Sequence, residues 1–227
     1  MELNTQKIIR YSTSLFKRYN FKKPRYESLL ILSKVVKRDL LEILTNKSIK
    51  INEKKNKKFL NKVYQRIKNK PLSRISGIKE FYSREFFINK FVLDPRPETE
   101  ILVDVIKKLK IVNKKKVKIL DLGTGTSCLL ITLVLEFKKK VKGVGVDNSV
   151  EALKVAKKNI EKFNLCEHIN LIHSNWFSKI RDNFDIIISN PPYIPSNEIN
   201  YLDDEVKNFD PRNALDGGKS GINCYKI

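Results

Sequence analysis

The sequence predicts an α/β protein, an N-terminal bundle of helices followed by an open parallel sheet. Three observations carry that reading. No glycine occurs before Gly77, and apolar residues up to about residue 70 recur at helical spacing. From Val117 a short β-branched run, a glycine turn and an apolar stretch from Cys128 to Phe137 follow one another as strand, turn and buried helix. Further β-branched runs then end on polar residues, one at Asp147 and another at Asn190.

Within residues 1–70, Ile8, Ile9, Leu15 and Phe16 mark one apolar stripe, and Tyr26, Leu29, Leu30, Val35 and Val36 a second. Phe59, Leu60, Val63, Tyr64 and Ile67 have the spacing of an amphipathic helix. No acid/base constellation occurs here, so the bundle reads as a docking module. Residues 71–97 read as a linker. They contain a short hairpin around Ser83-Arg84 and end at Pro95-Arg96-Pro97. A helix is expected from about Glu98, with Pro97 at its start and Ile101, Leu102, Val105, Ile106 and Leu109 facing inward.

Residues 98–227 form the second expected domain. In the turn Gly123-Thr124-Gly125-Thr126-Ser127 the glycines let backbone approach a ligand without a Cβ in the way. Val141 to Val146 is the next strand, and Asp147 at its end can accept both hydroxyls of a ribose. Asn148 or Ser149 then caps a helix that turns Leu153, Ala156, Ile160 and Phe163 inward. Ile169 to Ile172 is a third strand. Trp176 stands at its carboxyl end, where it serves either as core or as a surface for an adenine.

A fourth strand, Phe184 to Ser189, runs into Asn190-Pro191-Pro192-Tyr193. Two consecutive prolines lack N–H groups and fix φ, so they cannot continue a central strand. They make a stiff loop at the carboxyl end, where open α/β sheets place ligands. The carbonyls of Asn190 and Pro191 are then free to hold something polar. A P-loop Gly-Lys-Ser/Thr is absent, which disfavours a nucleoside triphosphate.

Bulk properties narrow the classes further. Lys and Arg number 46 against 25 Asp and Glu, a net charge of +21. The lysines lie in scattered pairs and triplets such as Lys54-Lys55, Lys57-Lys58, Lys114 to Lys116 and Lys138 to Lys140, the habit of a solvated surface, with contact to RNA incidental. Cys128, Cys166 and Cys224 form no CxxC, and His168 and His173 are the only histidines, so no metal site is expected. An apolar leader is missing, and the longest apolar stretch, Cys128 to Leu135, is too short to span a bilayer. The expectation is a cytoplasmic monomer with reduced thiols and no membrane partner.

These motifs together resemble the class I, S-adenosylmethionine-dependent methyltransferases, and more narrowly the PrmC/HemK family of release factor glutamine methyltransferases. The marks are Gly77 with Glu80-Phe81-Tyr82, Pro95-Arg96-Pro97-Glu98-Thr99-Glu100, Asp121-Leu122-Gly123-Thr124-Gly125-Thr126, Trp176-Phe177, Ser189 to Ile194, and Pro211 through Ala214-Leu215 to Gly217-Gly218. The resemblance implies a Rossmann-like sheet that binds S-adenosylmethionine. Gly123, Thr124, Gly125, Thr126 and Ser127 would wrap the methionine part, Asp147 the ribose and Trp176 the adenine, with Asn190 at the reacting end. It also implies that Asn190, Pro191, Pro192 and Tyr193 bind the glutamine of the Gly-Gly-Gln motif in peptide chain release factors. Asn190, Pro191 and Tyr193 would be the catalytic group, and the helical domain would dock the release factor.

The residue chemistry agrees with that scheme. An amide nitrogen is a poor nucleophile because its lone pair is delocalised, so orientation and electrostatics must carry the work. Three departures stand out. Ser127 occupies the place of a usual third glycine, and Asn175 that of a usual acid. Family members also continue beyond the position of Ile227 through a fifth strand and a closing antiparallel pair. A sheet lacking those strands would expose an unpaired edge, and an inactive cofactor-binding remnant is one reading. The competing enzyme readings are a glutamine methyltransferase of a ribosomal protein and an adenine-N6 nucleic-acid methyltransferase.

Overall fold

The computed structural model describes residues 3–46, 49–109, 116–138 and 140–227, which fall into two compact units, Met1–Ser76 and Gly77–Ile227. Of the lysine runs, Lys114, Lys115 and Lys139 lie outside the described residues.

The first unit holds helices α1 (Thr5–Arg18), α2 (Pro24–Val36), α3 (Leu40–Thr45), α4 (Glu53–Ile67) and α5 (Leu72–Ser76). Their starts are set by local chemistry. The side chains of Asn4, Asp39 and Asn52 accept hydrogen bonds from the backbone N–H of Gln6, Glu42 and Lys55, and Pro24 opens α2. A two-residue antiparallel ladder between β1 (Leu3–Asn4) and β2 (Lys50–Ile51) ties the N-terminus to the residues before α4. It is too short to leave a period in the sequence.

Phe16, Leu32, Ile43, Phe59 and Val63 are fully buried and form the centre of this unit. Two expected inward residues point out instead. Tyr26 and Tyr64 are 51% and 49% exposed, while Ile31 and Leu32 fill the α2 side of the core. The amphipathic tyrosine keeps its hydroxyl in water, a choice that helical spacing alone does not reveal. A buried ion pair, Arg66 to Glu27 at 2.6 Å, also lies in this core, with the guanidinium over the Phe21 ring.

The second unit opens with a hairpin, β3 (Ile78–Phe81) and β4 (Arg84–Phe87), turning at Tyr82 and Ser83, one residue earlier than expected. Residues Leu72–Ser76 of the stretch read as a linker are helical and lie in the first unit. Phe81 and Phe86 of the hairpin are buried in the core of the second. A 3-10 turn at Pro97–Thr99 leads into α6 (Glu100–Lys108). Its buried residues are Val103 and Ile106 with Leu102 packed beside them, whereas Ile101, Val105 and Leu109 are exposed. Both sets are apolar and helically spaced, and packing against the next helix chooses between them.

The main sheet is parallel, with β5 (Val117–Leu122), β6 (Val141–Asp147), β7 (Ile169–His173) and β8 (Ile186–Ser189) in the order β7-β6-β5-β8. Helices α7 (Cys128–Glu136) and α8 (Val150–Lys162) connect β5 to β6 and β6 to β7, and a short α9 (Asp204–Lys207) follows β8. Helix α7 is buried on nearly every side. A Cβ on Gly143 of β6 would stand 2.6 Å from Leu130, so that glycine permits the close seating of α7 on the sheet. Among the described strands β7 and β8 are the edges, and Ile187 on β8 is 54% exposed.

The strand order reverses at β5, which has β6 on one side and β8 on the other. That switch opens a crevice at the carboxyl ends of the two central strands. Among the described residues no helix is long and apolar enough to cross a membrane, and no cluster of metal-ligating side chains occurs.

Candidate active site

The crevice is a cleft of about 220 Å³. Its floor is the glycine loop after β5. The N–H groups of Gly123 and Thr124 both reach the Val146 carbonyl at 2.8 Å, and the Gly125 N–H donates to Asp147 Oδ2 at 3.0 Å. These bonds tie the loop to the carboxyl end of β6. Gly123 has φ +73, and a Cβ built on it would meet nothing within 4 Å, so open space stands directly over its backbone.

Two carboxylates face this loop. Asp147 closes β6, its Oδ1 taking the Ser149 N–H and its Oδ2 the Gly125 N–H. Its pKa is raised by burial, against the pull of those backbone donors. Two of its roughly four acceptor positions are thus filled, which leaves others for a ligand's hydroxyls. Asp121 is the penultimate residue of β5 and is 2% exposed, with the Thr124 hydroxyl donating to it at 2.7 Å. Burial, with the nearby Asp147 adding to it, pushes its pKa up to about 7 despite the Thr124 bond. Trp176 stands on the cleft wall at φ +49, half-buried beside Leu120, Leu122 and Val146. It therefore serves both as core and as wall.

Opposite lies Asn190-Pro191-Pro192-Tyr193. Asn190 Nδ2 donates to the Thr99 hydroxyl at 3.2 Å, so the first residues after the hairpin reach the loop after β8. Among the described residues no backbone N–H donates to the Pro191 carbonyl. The loop is gripped from the other side by the C-terminal segment. Ile194 N–H donates to Leu215 O at 3.0 Å, Gly217 N–H returns to Ile194 O at 2.8 Å, and Ser196 N–H reaches Gly218 O at 3.0 Å. A Cβ on Gly217 would stand 2.9 Å from Pro192 O, and one on Gly221 2.6 Å from Tyr193 O. Glycine is needed at both places for the two segments to approach. Arg96 and Asp210 form an ion pair between the same regions, with the Asp210 carboxylate side chain almost fully buried.

Of the residues singled out in the sequence, Gly123, Thr124, Gly125, Thr126, Asp147, Trp176, Asn190 and Pro192 line the cleft. Ser127 does not. It is fully buried at φ +61, and its hydroxyl has no partner among the described residues. Pro191 is buried and Tyr193 is 58% exposed, and neither side chain lines the cleft. Asp121, Arg96, Thr99, Asn213 and Asp216 also border the cleft; they fall within the motifs that carry the resemblance but are given no site role there. An acid near the end of the strand before a glycine turn is a signal for Asp121. For Asn213 and Asp216 no local signal exists, because tertiary contacts bring them in.

Comparison with known proteins gives the same outline. Residues 93–203 match the methyltransferase small domain family, and residues 7–77 match the PrmC N-terminal domain family. A bifunctional methyltransferase of Rickettsia typhi is 35% identical over 100% of this chain and 47% of its own length. A release factor glutamine methyltransferase of Buchnera aphidicola subsp. Schizaphis graminum is 41% identical over 88% of this chain and 70% of its own. The chain thus spans about half the length of the bifunctional relatives, which carry 47% coverage in the Rickettsia typhi case. Among solved structures, the catalytic domain of hMettl16 in complex with MAT2A 3′UTR hairpin 6 aligns with TM-score 0.52 at 16% identity, over 77% of this chain and 61% of that one. That likeness is one of fold.

Proposed function

The chain belongs to the release factor glutamine methyltransferase family, and from that premise we propose that it methylates a glutamine side-chain nitrogen. The substrate is the Gly-Gly-Gln motif of peptide chain release factors, and the methyl donor is S-adenosylmethionine. One observation carries the reading. An Asn-Pro-Pro-Tyr loop, with its Asn190 amide held by Thr99, shares a single cleft with a glycine loop and a strand-end carboxylate.

The cleft suits the donor. Open space over Gly123 accommodates a ligand lying on the loop backbone, and the unfilled acceptor positions of Asp147 suit a ribose diol. Trp176 offers an aromatic wall for an adenine, and Asp121 a negative charge for an ammonium group. When bound, the cofactor supplies an electrophilic sulfonium methyl group.

The chain's own residues then have an orienting task. Thr99 engages the Asn190 nitrogen, which leaves Asn190 Oδ1 as the acceptor for the substrate amide. Asn190 Oδ1 and the Pro191 carbonyl each accept one amide hydrogen, which fixes the nitrogen and favours the positive charge that grows on it during transfer. The proline-stiffened backbone keeps these acceptors in place without reorganisation. Neither histidine borders the cleft, and the scheme requires no dedicated base. The helical unit docks the release factor, and the exposed Tyr193, next in the chain to Pro192, meets the substrate chain.

The test is incubation of the purified chain with S-adenosylmethionine and a release factor, followed by mass analysis of the Gly-Gly-Gln peptide. One added methyl on the glutamine is expected. No methylated glutamine, with the Buchnera relative active in the same assay, would overturn the proposal.

A further inference from the structure

The first unit carries charge out of proportion to its size. Residues 1–76 hold 21 of the 46 lysines and arginines but 5 of the 25 acidic residues, a net charge of +16. Residues 77–227 hold the remaining 25 and 20, a net charge of +5. A compositional drift toward lysine acts along a whole chain and does not remove acids from one third of it. Three of those five acids are already engaged. Glu27 pairs with buried Arg66, Glu42 with Arg38, and Asp39 caps α3.

The cations are also ordered in space. On α1, exposed Lys7, Arg10, Lys17 and Arg18 recur at intervals of three, seven and one, which places them on one helix face around half-exposed Tyr11. On α4, exposed Lys54, Lys57 and Lys58 lie on one face with half-exposed Tyr64, and Lys68 extends it at the helix end. The two helices pack together, and the neighbouring Tyr11 raises the Tyr64 pKa, so the two tyrosines lie side by side. The two basic faces therefore meet at a pair of accessible tyrosine rings.

We propose that this α1–α4 face binds single-stranded RNA. Lysine and arginine rows neutralise successive phosphates, and tyrosine rings between them stack unpaired bases. A peptide of acidic side chains would use the cations but gain little from exposed aromatic faces. The choice of RNA over DNA rests on the proposed function, whose substrate works in translation.

The test is anisotropy of a labelled oligouridylate of about 12 nucleotides on the full chain. Oligothymidylate and polyglutamate of equal length serve as the other arms. With about four phosphates neutralised, affinity falls roughly fifty-fold for a fourfold rise in salt. The variant Arg10→Gln/Lys57→Gln/Lys58→Gln flattens that fall to about threefold. Tyr11→Leu/Tyr64→Leu weakens binding about tenfold at fixed salt, and Tyr11→Phe/Tyr64→Phe restores it. Because the helical unit is assigned the docking of the release factor, methylation is measured in parallel on a short Gly-Gly-Gln peptide, which needs no such docking. Its retention in the variants separates this surface from the methyl-transfer reading. Absence of oligouridylate binding at low salt overturns the proposal, as does an unchanged salt dependence in the charge variant. Tighter binding of oligothymidylate overturns the choice of RNA. Polyglutamate binding as tight as oligouridylate, and indifferent to the tyrosines, replaces RNA with an acidic protein partner.

Discussion

The glycine loop after β5 and the proline loop after β8 leave neighbouring strands at the same end of the sheet, yet they are held in different ways. The glycine loop is bonded to its own strand and to the end of the next strand in the same strand–helix–strand unit. Its N–H groups reach Val146 and Asp147, and Thr124 reaches back to Asp121. The proline loop cannot donate from Pro191 or Pro192 and no helix follows it directly. Its restraints come from Thr99 on one side and Leu215 to Gly221 on the other. A loop whose own backbone lacks donors is therefore positioned from outside, and those outside segments become part of the site.

The largest expected effect tests the local loop. Asp121 has its pKa raised from 3.8 to about 7, so between those values the unfolded chain sheds a proton that the folded chain keeps. Stability conferred by the rest of the fold is eroded as pH rises through that window, and the full deficit stands above it. In cofactor-free protein Asp121→Asn is expected to be roughly 2–4 kcal/mol more stable than the parent at about pH 8 and near parity at about pH 4. Urea unfolding at both values checks this. An equal difference at the two pH values contradicts a buried charge.

Next in size is the distant grip. Gly217→Ala drives a methyl group against Pro192 O and Gly221 O. It is expected to cost about 1–3 kcal/mol and to slow methyl transfer more than it weakens cofactor binding. Equal losses in both would mean the clasp supports the whole cleft and not the proline loop. Thr99→Val removes the acceptor of Asn190 Nδ2 at nearly constant volume. A fall in transfer rate of about fivefold is expected, with cofactor affinity unchanged by calorimetry. The smallest effect returns to the glycine loop. Ser127 sits at φ +61 with a buried hydroxyl that no described group engages. Ser127→Gly relieves both and is expected to stabilise the protein by about 1 kcal/mol in thermal unfolding.

The same contrast explains what could be read in the sequence. Strands β5 to β8, the glycine turn and the cap at Ser149 follow from local patterns, because their determinants lie within a few residues. Asp147 was legible for the same reason. The buried face of α6 was not, since Ile101, Val105 and Leu109 have as good a helical period as Val103 and Ile106, and only the neighbouring α7 decides. Ser127 has the right place in the loop but the wrong direction, because backbone at positive φ turned its side chain into the core. The clasp on Pro192 and Tyr193 joins irregular segments that belong to no strand–helix–strand unit, and no short-range pattern announces it.

In the proposed reaction the glycine loop and Asp147 hold the cofactor while Asn190 orients the amide. Cofactor affinity and single-turnover methyl transfer, measured on the same Asn190→Ala protein, separate the two tasks. Transfer to a Gly-Gly-Gln peptide is expected to slow by about 10²–10³-fold with cofactor affinity within a few-fold of the parent. Cofactor affinity falling as far as the rate, or transfer left unchanged, would contradict this assignment.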